Sequence, residues 1–230
     1  CKLLLTTPGI DMQTGEYEAT GIPAAILAHY LRESSVIPEK ADLNSILFLL
    51  TPAETLAKFQ HLVARIVRFE KHIRENSPVT QVLPTLAKAY PQYRKLTINE
   101  LCQLMHNFYA KHQLNKRQKQ MFEREHRPKV AISAFDAHNA FIRNEVELVS
   151  LHDIKGRIAM EGALPYPPGV YCIVPGEVWD GAVLDYFLAL QEGVNRLPGF
   201  EPEVQGVYWE YDDQGKKIAY AYVLKQSHQI

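Results

Sequence analysis

The residue types best suited to chemistry lie between two short apolar runs. Val36-Ile37 and Ile46 to Leu50 flank Glu39, Lys40 and Asp42 in the stretch VIPEKADLNSILFLLT, residues 36–51. Aliphatic and β-branched runs bounded by Pro and by Asp or Asn predict buried strands. Charges between such strands are costly to bury unless something pairs with them. Two readings fit Glu39. One is a surface turn whose charges are solvated. The other is a carboxylate at a strand end, facing a pocket, that anchors a cationic ligand through a charge-assisted hydrogen bond.

The second stretch is Glu161 to Gly169, EGALPYPPG, with three prolines in four positions, 165–168. Those prolines fix an extended, preformed backbone, and Gly169 releases it into the next segment. A rigid loop holding Tyr166 serves equally as a pocket rim or as a structural corner. The remaining candidates carry less. The nearest pair among the nine histidines, His106 and His112, stands six residues apart and forms no HExxH motif, so no metal site is expected. Cys102 falls on the apolar side of a helix pattern and reads as an inert buried thiol. Arg32, Arg65, Arg68 and Arg74 read as solvated charge. The sequence has no glycine-rich phosphate loop and no nucleophile elbow.

Elements that would position these residues follow from periodicity. Lys2 to Thr6 predicts a strand and Ile22 to Glu33 an amphipathic helix with Pro23 in its first turn. Two strands follow, at Val36 and at Ile46, separated by Asp42-Leu43-Asn44. Thr51-Pro52-Ala53-Glu54 predicts a capped helix start and a helix to about Glu75. Asn76-Ser77-Pro78 marks the expected boundary, dividing an α/β unit at 1–77 from a second domain at 78–230. In that second domain Thr97-Ile98-Asn99-Glu100 opens a helix with a capping box, residues 115–126 form a charged helix, and Ala134 to Asn144 a short one. Glu145 to Leu151, Gly156 to Met160 and Val170 to Val174 predict extended segments, and Val178 to Leu197 an amphipathic helix. Val204 to Tyr211 and Lys217 to Leu224 predict a hairpin across Asp212 to Gly215.

Composition narrows the function classes. The 230 residues suffice for one large or two modest domains, and 25 basic against 26 acidic residues leave no lysine- or arginine-rich block. Neither nucleic acid nor a membrane surface is therefore an expected partner. Three distant cysteines, Cys1, Cys102 and Cys172, fit a reducing cytoplasm better than a disulfide framework. No run approaches the ~20 apolar residues of a membrane span. A chain that opens on CKLLLTT without an initiator Met reads as the back portion of a longer protein.

IPEKADLNSILFLLTPAE, EGALPYPPGVYCIVPGE and LPGFEPEVQGVY occur in that order. They resemble the pyridoxal-phosphate-dependent ornithine/lysine/arginine decarboxylases of bacteria, with wording nearest the ornithine members, and the resemblance covers essentially the whole chain. It implies the end of the small α/β domain of a fold-type I pyridoxal-phosphate enzyme, followed by an α+β C-terminal domain. In that family the Glu of the matching Pro-Glu-Lys binds the substrate's distal amine, which assigns substrate binding to Glu39. Tyr166 is the weaker candidate, at the pocket rim.

The resemblance implies conversion of ornithine to putrescine and carbon dioxide, a step in polyamine biosynthesis. It also implies a cytoplasmic homo-oligomer, a dimer or larger, and pyridoxal phosphate as cofactor without a metal. Pyridoxal chemistry needs a lysine that forms a Schiff base and an acid at the pyridinium nitrogen. In this family the lysine stands in a Ser-x-His-Lys setting, and the sequence has no His-Lys pair. The cofactor domain is therefore expected upstream, as a partner of this segment, and the segment alone is expected to be inactive. Nucleotide effectors are known in the group. Thr97 stands where lysine-decarboxylating members carry an effector-binding arginine, a departure that bears on nucleotide regulation. Two alternatives follow the same resemblance: a non-enzymatic assembly or regulatory domain, and the same segment of a lysine decarboxylase.

Overall fold

The structure is a computed structural model and describes residues 1–167 and 169–228. Its contacts divide the chain into two compact units, Cys1–His112 and Gln113–Ile230. The sequence places its boundary at Asn76-Ser77-Pro78. In the structure that tripeptide is a helix end, with Ser77 buried. The chain continues inside the first unit because the following helices pack back onto what precedes them.

The first unit begins with β1 (Lys2–Thr6), α1 (Ala24–Glu33), β2 (Lys40–Ala41) and β3 (Ser45–Leu49). The strand order is β1-β3-β2, and β3 runs antiparallel to both neighbours. β1 and β2 therefore point the same way, split by β3, with α1 as the connection between them. Ile46 and Phe48 alternate onto the buried face, as period-two geometry requires. α1 lies against that sheet and buries Ala24, Ile26, Leu27, Ala28, Tyr30 and Leu31. A fully buried Ile or Leu side chain of this kind contributes about 1.5–3 kcal/mol. The opposite face leaves Leu4 and Leu49 exposed.

The predicted Val36 strand is absent. The Val36 amide closes the end of α1 by donating to Leu31 O at 2.9 Å, and Pro38 has no N–H to offer a ladder. What remains for pairing is the two-residue β2. The helix start predicted at Thr51 also moves. Thr51 to Glu54 forms a separate turn, Thr55 is extended, and α2 (Leu56–Glu75) begins after it. α2 ends at Asn76 in the left-handed conformation, a helix-terminating position that Asn tolerates. α3 (Val79–Val82), α4 (Pro84–Ala89) and α5 (Ile98–His112) complete the unit. The expected capping box at α5 is present: the Thr97 amide donates to Glu100 Oε2 at 2.7 Å and the Glu100 amide to Thr97 Oγ1 at 3.4 Å.

The second unit contains α6 (Leu114–Gln120), α7 (Ala134–Ile142), β4 (Val146–Ser150), β5 (Leu164–Tyr166), α8 (Gly181–Arg196), β6 (Glu203–Gln205), β7 (Tyr208–Tyr211) and β8 (Lys217–Leu224). One antiparallel sheet has the order β4-β8-β7, and β5 pairs with β6 apart from it. The hairpin expected from Val204 is therefore cut short. Gly206, at φ +73°, turns the chain between β6 and β7. The Val170 to Val174 strand reduces to one bridge, Ala163 to Ile173. α7 and β8 enclose a cluster of Ala137, Ala140, Ile158, Met160 and Leu224. On α8 the fully buried Trp179 just before the helix meets Phe187 edge-on, with centroids 5.3 Å apart. The whole is α+β with small sheets, and among the described residues no helix is long and apolar enough to cross a membrane.

Candidate functional site

Glu39 sits one residue before β2. Its backbone amide donates to Leu47 O at 2.8 Å, and Pro38 before it is buried while Glu39 itself is exposed. Pro38 is buried on one side of the carboxylate, and the two-residue ladder to β3 begins on the other. Among the described residues, neither Lys40 nor Arg32 forms an ion pair with Glu39. The local salt bridge that would make this carboxylate a structural element is not there. A solvated carboxylate fixed through its main chain can accept a hydrogen bond from an incoming cation without first breaking one.

Tyr166 lies in the second unit, half-buried at the end of β5, where it pairs with Glu203. Its peptide bond to Pro167 is cis. The Gly169 amide turns back to donate to Pro165 O at 2.8 Å. Gly169 adopts φ +77°, and a Cβ there would stand 2.7 Å from the Tyr166 ring. The ring thus packs onto bare backbone. Beside this loop the Tyr208 hydroxyl donates to Glu161 Oε2 at 2.7 Å. That hydrogen bond to a carboxylate, with some burial, pushes the Tyr208 phenol up to about 12. The candidate residues therefore belong to separate units: Glu39 to the first and Tyr166 to the second.

Cys102 and Cys172 are buried. Burial pushes the Cys102 and Cys172 thiols up to about 12, which makes both poor nucleophiles. Among the described residues no group of His, Cys, Asp and Glu could hold a metal. Thr97 is occupied as the cap of α5 through two bonds to Glu100. Arg157, unremarked in the sequence, is buried and ties Glu147 and the Leu224 carbonyl together. The same arginine holds the Glu147 carboxyl below the usual carboxylate range. Its only sequence signal is an arginine inside an otherwise apolar stretch, which periodicity alone does not flag.

In the sequence Asn44 reads as an ordinary turn residue. It is buried, and its amide donates to Pro8 O at 2.8 Å and Ile22 O at 3.3 Å, with a longer contact to Thr7 Oγ1 at 3.4 Å. His106, on α5, is buried as well, with Nε2 against Glu18 O at 2.8 Å. Both tie the long loop between β1 and α1 to its surroundings.

A pyridoxal phosphate site does not fit the described residues. A Schiff-base lysine acts from a desolvated pocket, whereas among the described residues no lysine is buried. Arg157, the one arginine buried among the described residues, is committed to Glu147 and Leu224.

Residues 1–58 match the family model "Orn/Lys/Arg decarboxylase, major domain", and residues 115–225 match "Orn/Lys/Arg decarboxylase, C-terminal domain". The chain is 60% identical to the constitutive ornithine decarboxylase of Escherichia coli over 226 residues, 98% of this chain and 32% of that protein. It is 57% identical to the ornithine decarboxylase of Haemophilus influenzae over 97% of this chain and 31% of that protein. Among solved structures it resembles the constitutive lysine decarboxylase of E. coli with a TM-score of 0.88 and 32% identity, covering 97% of this chain and 31% of that one. The chain thus spans about a third of the length of each of these relatives.

Proposed function

The chain belongs to the Orn/Lys/Arg decarboxylase family, and on that premise we propose that the protein containing it converts ornithine to putrescine and carbon dioxide. The observation that carries the choice of substrate is a difference in identity. Over nearly the same residues the chain is 60% identical to an ornithine decarboxylase and 32% identical to a lysine decarboxylase. Ornithine and lysine differ by one methylene, worth about 1–3 kcal/mol to a pocket, so the preference rests on relatives and not on volume.

Pyridoxal phosphate supplies the electron sink for loss of the carboxylate. It would be held by a fold-type I domain outside this chain, since the residues here do not fit it. The contribution of this segment is recognition. Glu39 accepts a charge-assisted hydrogen bond from the ammonium at the far end of the substrate, which orients the molecule and selects for a basic side chain. The free carboxylate supports this role. Tyr166, on its proline-braced loop, would form part of the pocket rim, and the second unit would take part in contacts between subunits. The protein would act in the cytoplasm.

The test is release of carbon dioxide by the full-length protein, loaded with pyridoxal phosphate, from ornithine, lysine and arginine in parallel. Putrescine as the product, with kcat/KM for ornithine at least about tenfold above that for lysine, is expected. A preference for lysine, or no release from any of the three, overturns the reading.

A further inference from the structure

β2 is too short to hold its own place. Two ladder residues, Lys40 and Ala41, join it to β3, and isolated pairing of that length is marginal in water. Yet the residue before it is the one whose carboxylate must meet a substrate at a fixed distance. Something other than the ladder must set the hairpin.

The connection between β2 and β3 is unusually well tied. The Asp42 amide donates to Ser45 O at 2.8 Å and the Leu43 amide to its neighbour Asp42 Oδ1 at 2.8 Å. The Ala24 amide, at the start of α1, donates to Leu43 O at 2.9 Å, and the Thr7 amide, at the end of β1, to Asn44 O at 2.9 Å. The Asn44 side chain then returns to the carbonyls of Pro8 and Ile22. One buried amide therefore gathers the exit of β1, the entry of α1 and the turn of the hairpin.

The backbone it grips is packed without slack. A Cβ on Gly9 would lie 2.8 Å from Gly21 Cα, 3.0 Å from Asn44 Nδ2 and 3.1 Å from His106 Nδ1. A Cβ on Gly21 would lie 2.3 Å from the same His106 nitrogen. α5 thus supports the two glycines from behind through His106, while Asn44 grips the carbonyls beside them.

We propose that Asn44 is the positioning residue for Glu39, fixing the β2–β3 hairpin against the Thr7–Ile22 loop so that the carboxylate meets the substrate's distal ammonium. The assignment rests on the reading of Glu39 given above and extends it. Asn44 touches no substrate. Its effect is exerted through Glu39, and it is therefore confined to substrates that carry a distal ammonium.

The experiment compares kcat/KM for ornithine with kcat/KM for norvaline, which lacks that ammonium, in the full-length enzyme with pyridoxal phosphate. The ratio of the two does not depend on how much of a preparation is folded. Asn44→Ala is expected to lower the ratio about tenfold, since a misplacement near 1 Å costs up to about a hundredfold. In a Glu39→Gln background the same substitution is expected to lower it no further. An unchanged ratio in Asn44→Ala, or the same loss with and without Glu39, overturns the proposal. Should Asn44→Ala yield no soluble enzyme, Thr7→Val removes only the longest of the three contacts. It is expected to lower the ratio about twofold, and an unchanged ratio there overturns the proposal too. The underlying reading fails separately, when Glu39→Gln leaves the ratio where it was.

Discussion

The two candidate residues are held in opposite ways. Glu39 has a carboxylate without an ion pair to Lys40 or Arg32, just before a strand of two residues whose turn is bonded to neighbouring segments. Tyr166 stands on a stretch that supplies its own constraint: a pairing with β6, proline-fixed backbone, and a ring laid on Gly169. Around it the polar groups are engaged, with Tyr208 bonded to Glu161. Under the proposed function the contrast separates two tasks. A recognition group keeps its hydrogen-bonding capacity open and borrows rigidity from its surroundings. A wall spends that capacity on itself. Substitutions should accordingly change kinetics at the first region and stability at the second.

The largest expected effect falls on the second region. Gly206 has φ +73°, and a Cβ there would stand 2.1 Å from Gly162 O. Gly206→Ala therefore combines left-handed backbone strain with overlap against fixed main chain, about 2–4 kcal/mol together. The checking measurement is the urea midpoint of the full-length protein, with the ornithine-to-norvaline ratio recorded on whatever folds. A lower midpoint and an unchanged ratio fit the contrast. A shifted ratio would mean that this corner takes part in recognition.

Glu39→Gln is the complementary break. The substitution keeps shape and hydrogen-bonding capacity while removing charge. A charge-assisted bond contributes about 1.5–3 kcal/mol, so kcat/KM for ornithine should fall roughly tenfold to a hundredfold. The midpoint and the absorbance of the bound cofactor should stay put. Steady-state kinetics on ornithine and norvaline decide it, for a variant that keeps its full kcat/KM on ornithine removes Glu39 from recognition.

Much of this organisation was legible in the sequence, and the failures have physical causes. β1, α1, α5 with its capping box, α7, β4 and β8 follow from periodicity and caps because local and tertiary preferences agree there. Val36-Ile37 has the composition of a strand, but the Val36 amide is spent on ending α1 and the pair joins no strand among the described residues. Thr51-Pro52-Ala53-Glu54 has the composition of a cap, and Thr51 does bond Glu54, yet the extended Thr55 interrupts the helix. The Val204 pattern overstates the hairpin because a left-handed glycine inside a strand pattern is a break only when the partner strands are known. Glu39 stood out because charge between apolar runs is conspicuous. Asn44 did not, since Asn is ordinary in a turn and its three contacts are to residues 22 to 37 positions away.

The smallest expected effect sharpens the contrast from the wall's side. Tyr208 is 41% exposed, so its bond to Glu161 is partly screened by water and contributes about 0.5 kcal/mol. Tyr208→Phe should lower the urea midpoint slightly at pH 8 and leave the ornithine-to-norvaline ratio alone. The distinguishing feature is pH. The phenol's folded value is raised to about 12 by the Glu161 bond, above an unfolded value near 10. A raised value means that the folded state keeps its proton longer. The stabilisation is therefore complete below about pH 10 and is lost as the pH climbs toward 12. The midpoint difference between parent and Tyr208→Phe should close over that interval, while tyrosines common to both proteins cancel. A difference that persists undiminished near pH 12 would mean that ring packing rather than the hydroxyl is what Tyr208 supplies. The wall would then owe its stiffness to the prolines and glycines alone.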